Sequence, residues 1–202
     1  MTKVAFYQSK KKMHFLCRHF LTIMKNFLKR VQLLVQLTTE LDGIHKNEFV
    51  DRLKKEVDPS DLGIFEDMFD GFSSSKNEYK GRVSYEGFKI KRKKRFFDMN
   101  MNLSIASGSF TQKEDKLIIT TEINGFRKSM IPFYVFVIFI YIVTFITFLF
   151  TMEAGNGISF IVLPFILVHA ALMMGIPYLF MRRSTSRMKR ELEREFHYIA
   201  KK

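Results

Sequence analysis

The spacing of apolar positions changes several times along the chain, and each change predicts an element. Over residues 10–28, Met13, Leu16, Phe20, Ile23 and Phe27 recur every three or four positions, which places them on one face of a helix. Lys10, Lys11, Lys12, Arg18, Lys25 and Lys29 occupy much of the remainder. A basic amphipathic helix of this kind lies in a membrane interface; packing on the domain or on a transmembrane helix is the competing expectation. A start at Met13 or Met24 would make residues 1–23 an extension rather than part of the fold. From Val31 the period becomes two: Val31, Leu33, Val35 and Leu37 share one face, which predicts a strand that ends at Asp42-Gly43. Phe49, Leu53 and Val57 step by four, giving a short helix over 46–57 that Asp58-Pro59 terminates.

Residues 58–77 are polar and acidic, with Phe65, Met68, Phe69 and Phe72 spaced for a helical turn or two that docks on the core, and Ser73-Ser74-Ser75 reads as a turn. Four strands follow over 79–85, 88–94, 103–110 and 117–123. They are separated by turns at Glu86-Gly87, Asp98-Met99-Asn100 and Lys113-Glu114-Asp115. In the last strand Leu117, Ile119, Thr121 and Ile123 alternate with Ile118, Thr120 and Glu122, so one face is buried. Short turns imply antiparallel pairing.

Periodicity then stops. Residues 130–152 and 157–181 are uncharged over 23 and 25 positions, and about 20 apolar residues cross a bilayer core. A soluble monomer is excluded on this pattern. After Met181 a stripe of Met188, Leu192 and Phe196 (or Ile199) runs between Arg and Glu, predicting a helix that closes the core. The expected layout is a basic amphipathic helix or extension over 1–28, a cytosolic α+β domain over 29–128, a transmembrane hairpin over 130–181 and a C-terminal amphipathic helix over 182–202. The fold class is an α+β membrane protein with a small antiparallel sheet, in the order β-α-β-β-β-β before the hairpin.

Charge then sets the orientation. The chain carries 33 Lys+Arg against 20 Asp+Glu, a net of +13. The linker Glu153-Ala154-Gly155-Asn156 has no basic residue, whereas Arg127 and Lys128 precede the first run and eight Lys and Arg follow the second. Basic residues stay on the cytoplasmic side, so both termini are expected inside and the linker outside. The single Cys17 forms no intramolecular disulfide and fits a reducing compartment.

Candidate chemistry is sparse. Lys89, Lys91, Arg92, Lys93, Lys94 and Arg95 place six basic residues in seven positions, and Arg182 and Arg183 open the tail. Anionic lipid headgroups or an acidic partner are the ligands such residues fit; a solvated turn that fixes topology is the plainer role. On a strand these residues alternate faces, so they do not form one patch. His169 sits midway along the second run, where an ionisable residue is a functional candidate, but no intramembrane carboxylate accompanies it. Ala170, Ala171 and Gly175 predict close helix packing nearby, and Pro164 and Pro177 predict kinks. The acidic run from Asp58 fails as a calcium loop, because Leu62 and Phe69 stand where oxygen ligands are required. No phosphate loop, zinc-protease helix, C-x-x-C or nucleophile elbow is present, and the five His residues have no metal spacing. No cofactor, metal or catalytic residue is expected. Nucleic-acid binding lacks a helix-turn-helix, a zinc finger or a stacking motif.

The helix over 48–57, Phe72-Ser73-Ser74, Tyr79-Lys80-Gly81-Arg82-Val83, Gly87-Phe88-Lys89-Ile90-Lys91-Arg92 and Arg95-Phe96-Phe97-Asp98 together resemble a group of uncharacterised bacterial proteins, chiefly from Bacteroidetes-type genomes. These pair a small cytosolic α+β domain with a two-helix transmembrane hairpin. The resemblance covers residues 30–202 loosely and 72–98 best, and it implies a bacterial inner (plasma) membrane, with both termini cytoplasmic, and this layout, without an activity. The expectation is a non-enzymatic, membrane-tethered binding or regulatory module that recognises a protein partner or anionic lipid, alone or as a homo-oligomer. The alternative is an accessory subunit of a membrane transporter or enzyme complex that docks through its hairpin.

Overall fold

Alternating apolar residues in five segments assemble one sheet, seen in a computed structural model that describes residues 19, 22–62, 77–93, 103–127, 130–153 and 159–202. The strands are β1 (Leu34–Asp42), β2 (Val57–Pro59), β3 (Tyr79–Val83), β4 (Gly87–Arg92), β5 (Ile105–Lys113) and β6 (Lys116–Asn124). Their spatial order is β1-β6-β5-β4-β3-β2. Neighbours from β1 through β3 pair antiparallel, and β2 pairs parallel to β3. The sheet is thus six-stranded and mixed, which corrects the five antiparallel strands expected. The missed strand, β2, is three residues long and starts where the preceding helix stops, too short for alternation to register. Its proline is tolerated because β2 lies on the sheet edge.

Helix α1 covers residues 22–30. It ends at Gln32, whose left-handed backbone (φ 60°) lets its N–H bond to the Lys29 carbonyl at 3.1 Å. Helix α2 (Lys46–Glu56) carries the chain from β1 at one edge of the sheet to β2 at the other. Helices α3 (Met130–Glu153) and α4 (Ser159–Lys201) complete the described chain. The tail helix expected over 182–202 is not separate: α4 runs unbroken for 43 residues. No glycine or proline lies between Arg182 and Lys201 to stop it. Pro164 and Pro177 sit inside the same helix.

One face of the sheet is covered by α2 and the C-terminal half of α4. Phe49, Val50 and Leu53 of α2 and Met188, Leu192, Phe196 and Ile199 of α4 are buried on Leu117, Ile119, Ile123, Ala106, Phe88 and Ile90. Phe49, Phe88, Phe110 and Phe196 form a ring cluster with centroids 5.3–5.9 Å apart, mostly edge-to-face. Each such burial contributes about 1.5–3 kcal/mol, and the edge-to-face contacts add to it. Gly108 leaves the room for Phe88, since a Cβ there would lie 2.6 Å from the ring. The predicted helical turns over 65–72 and the turn at 73–75 lie outside the described residues.

Candidate functional site

The two apolar runs form helices long enough and apolar enough to cross a membrane. Their side chains are uncovered: Phe136 is 63% exposed, Phe139 62% and Phe165 74%. These helices meet through Val137, Ile140, Tyr141 and Thr144 on α3 and Phe165, Ile166, His169 and Met173 on α4. At the centre of that contact the Tyr141 hydroxyl and His169 Nδ1 are 2.6 Å apart. His169 therefore has a partner that neither run's lack of charge foretold: a tyrosine on the facing helix. Gly175 meets nothing within 4 Å of a Cβ position. It and Ala171 stand on α4 turned away from α3, so the close approach expected there does not occur between these two helices.

Below the apolar belt the chain is drawn into a collar. Leu28 of α1, Leu33, Leu34, Leu103 and Met181 are buried together, with Met24, Phe126, Met130, Tyr134 and Tyr178 packed around them. The Tyr178 hydroxyl donates to the Val31 carbonyl at 3.2 Å, and Arg182 Nε donates to Gln32 Oε1 at 2.8 Å. The Gly125 amide donates to the Leu33 carbonyl at 2.8 Å. A Cβ on Gly125 would run into Thr185 and lie 3.0 Å from the Met181 carbonyl, so only glycine lets the end of β6 approach α4 this closely. Ser184 Oγ accepts from the Leu103 and Ser104 amides at 3.1 and 3.2 Å. Thr185 Oγ1 donates back to the Met181 carbonyl at 3.0 Å.

Beside this collar α1 keeps its other face open. Ile23 is 54% and Phe27 61% exposed. Lys25, Lys29 and Arg30 are exposed on the same helix, with Lys25 3.7 Å from Glu122. Tyrosines, an apolar helix face and basic residues therefore gather at the level where the apolar belt begins.

The basic run on β4 is distributed rather than pooled. Lys89 is exposed, Lys91 is fully buried, and Lys93 is nearly so and ion-paired to Asp58. Arg92, with its side chain 15% exposed, donates to Glu191 of α4 at 2.5 Å and lies 3.4 Å from Glu78. Arg92 thus ties the sheet to the closing helix. Lys94 and Arg95 lie outside the described residues. Arg183 is exposed beside Arg187, Arg190 and Arg194.

An open depression of about 890 Å³ lies at the β3–β4 end, between Lys54, Val57, Gly81, Arg82, Gly87, Phe88 and Gly108. Tyr85 folds over α2 there: its hydroxyl donates to Asp51 at 2.8 Å, and Lys54 Nζ sits 3.9 Å from its ring centre. Arg82 is bound to Asp61. Two of the cations lining this depression, Lys54 and Arg82, are thus engaged by Asp51 and Asp61. Among the described residues no three His, Cys, Asp or Glu side chains come together as a metal site.

Three groups outside the apolar runs have displaced titration, and one of them, Lys202, is raised by its hydrogen bond to Glu56. Burial holds the Tyr79 phenol well above its usual range, and the nearby Glu191 and Glu195 charges add to the effect. Glu195 is also raised, first by burial and then by Glu56 and Glu78, against the opposing pull of Arg194 and Lys202.

No family model, no curated protein and no solved structure matches the chain, so the resemblance carried by residues 72–98 gains no support from known proteins, and the reading rests on the geometry.

Proposed function

We propose that the protein is a non-enzymatic, membrane-tethered binding module whose α+β domain is held rigidly against an anionic inner leaflet. The observation that carries this is the collar. The uncovered apolar belt of α3 and α4 ends at Tyr134, Tyr178 and Arg182, and α1 docks at that level with Ile23 and Phe27 facing outward. Amphipathic tyrosines favour the membrane interface. A helix with one apolar and one basic face lies in that plane, drawn by anionic lipid at about 1 kcal/mol per basic residue. Both attachments of the domain are short or stiff. Five residues separate β6 from α3, and α4 passes without a break from its apolar half into the sheet core. In this arrangement both termini and the domain are cytoplasmic, as the charge asymmetry around the linker requires.

The chain has no Trp, so Phe27→Trp supplies a single fluorescent reporter on α1. In nanodiscs containing anionic lipid, its emission should be blue-shifted and quenched by lipids brominated near the headgroup. Solvent-like emission that brominated lipid leaves unquenched would remove α1 from the interface and overturn the reading.

A further inference from the structure

The collar leaves one charged surface of α4 unused. Counting from Arg183, the residues Arg187, Arg190, Arg194, His197 and Lys201 follow at steps of four, three, four, three and four. At about 100° per residue they fall along one side of the helix. The buried stripe of Met181, Met188, Leu192, Phe196 and Ile199 occupies the opposite side. All members of the row are exposed except Arg187, which is half-buried and braced 2.7 Å from Glu191. Arg183, Arg190 and Arg194 make no ion pair among the described residues, and together with Arg187 and Glu191 they line a shallow polar depression of about 470 Å³. No acidic residue lies within the row; Glu191 is turned toward Arg92 and Arg187.

We infer that this basic ridge is the docking face for an acidic helix of a partner protein, one that presents Asp or Glu at the same three-and-four spacing. This rests on the membrane reading above, because that reading sets the ridge upright from the bilayer. At about 1.5 Å per residue, Arg194 stands ~16 Å and Lys201 ~27 Å beyond Arg183 along the axis. Screening at physiological salt acts over about 8 Å, so lipid headgroups reach Arg183 and leave Arg190, Arg194 and Lys201 beyond their range. A second copy of the chain is a poor occupant, since it would bring the same charges face to face. A straight, single-file row with helical spacing matches another helix residue by residue. Nucleic acid is less well matched, because Tyr198, exposed beside the row, is a single ring and not a series of stacking positions.

The test uses the full chain in nanodiscs of zwitterionic phosphatidylcholine, so that anionic lipid does not compete. The probe is a labelled 18-residue helical peptide with Glu at alternating three-and-four spacing, beside a peptide of scrambled order and an RNA duplex. The ordered peptide should bind at least tenfold more tightly than the scrambled one at physiological salt. Arg190→Glu with Arg194→Glu should abolish that binding and confer binding of the matching Lys peptide, which also shows that the variant is folded. Equal binding of ordered and scrambled peptides, tighter binding of RNA, or failure of the charge swap overturns the assignment. Quenching of Phe27→Trp together with a failed swap removes the ridge alone; a successful swap with no quenching removes the membrane reading and leaves the ridge.

Discussion

At the scale of single residues, stability is concentrated where α4 meets the sheet. Phe196 is fully buried between Phe49 and Phe88. Phe196→Ala should lower unfolding stability by about 3–5 kcal/mol, because Phe49 and Phe88 lose a common neighbour and the cavity cannot collapse freely. Denaturant titration of the detergent-solubilised full chain, followed by the helical signal, checks this. The Tyr141–His169 bond joins α3 to α4. A double-mutant cycle with Tyr141→Phe and His169→Leu should give a coupling of about 0.6 kcal/mol, the average for such bonds between membrane helices; zero coupling would mean that the bond does not form in lipid. Glu195 has a raised folded-state pKa, so its protonated form is favoured by folding. Its contribution is present below the unfolded-state value, near 4.5, and is lost as pH rises through the raised one. The difference in melting temperature between the parent and Glu195→Gln should therefore shift in favour of the variant as pH rises from about 4 to 7, modestly, because Glu195 is partly exposed.

At the scale of elements, the outcome turns on which signals are local. The alternation of Leu117, Ile119, Thr121 and Ile123 marked β6, and each of the four is buried. The stripe of Met188, Leu192 and Phe196 marked a helix that closes the core, and it does. Three features were not readable. A three-residue strand shows no period, so β2 and its parallel pairing escaped. Alternation already divides the basic run at 89–95 between two faces, but not its partners: Arg92 reaches Glu191, which is 99 positions away, and only the sheet-to-helix packing shows it. The continuity of α4 also escaped, because a change from apolar to charged composition marks a change of solvent, not the end of a helix. Polar residues that look like a boundary, Ser184 and Thr185, instead hold Leu103, Ser104 and the Met181 carbonyl. Gly125→Ala should strain this joint, since its Cβ would meet Thr185. It should lower the melting temperature more than Gly43→Ala, where space is open and only the backbone (φ 71°) objects.

At the scale of the whole molecule, the protein reads as a rigid lever rather than a tethered domain on a flexible stalk. One apolar helix enters the sheet core directly, and the other is joined to β6 by a few residues. A shift of the apolar half of α4 should therefore carry the core stripe and the basic ridge with it, since all three lie on one helix. The proposed topology has its own test. In a Cys17→Ser background, Asn156→Cys should react with an impermeant maleimide from outside intact cells, whereas Ser186→Cys should react only in inverted vesicles. The most direct test of the central claim is hydrogen exchange along α4 in the full chain, reconstituted in anionic nanodiscs. Slow exchange that continues from residue 165 through 199, without a gap at 181–187, is the predicted result. A fast-exchanging break at 181–187 would separate the apolar helix from the domain and contradict the account.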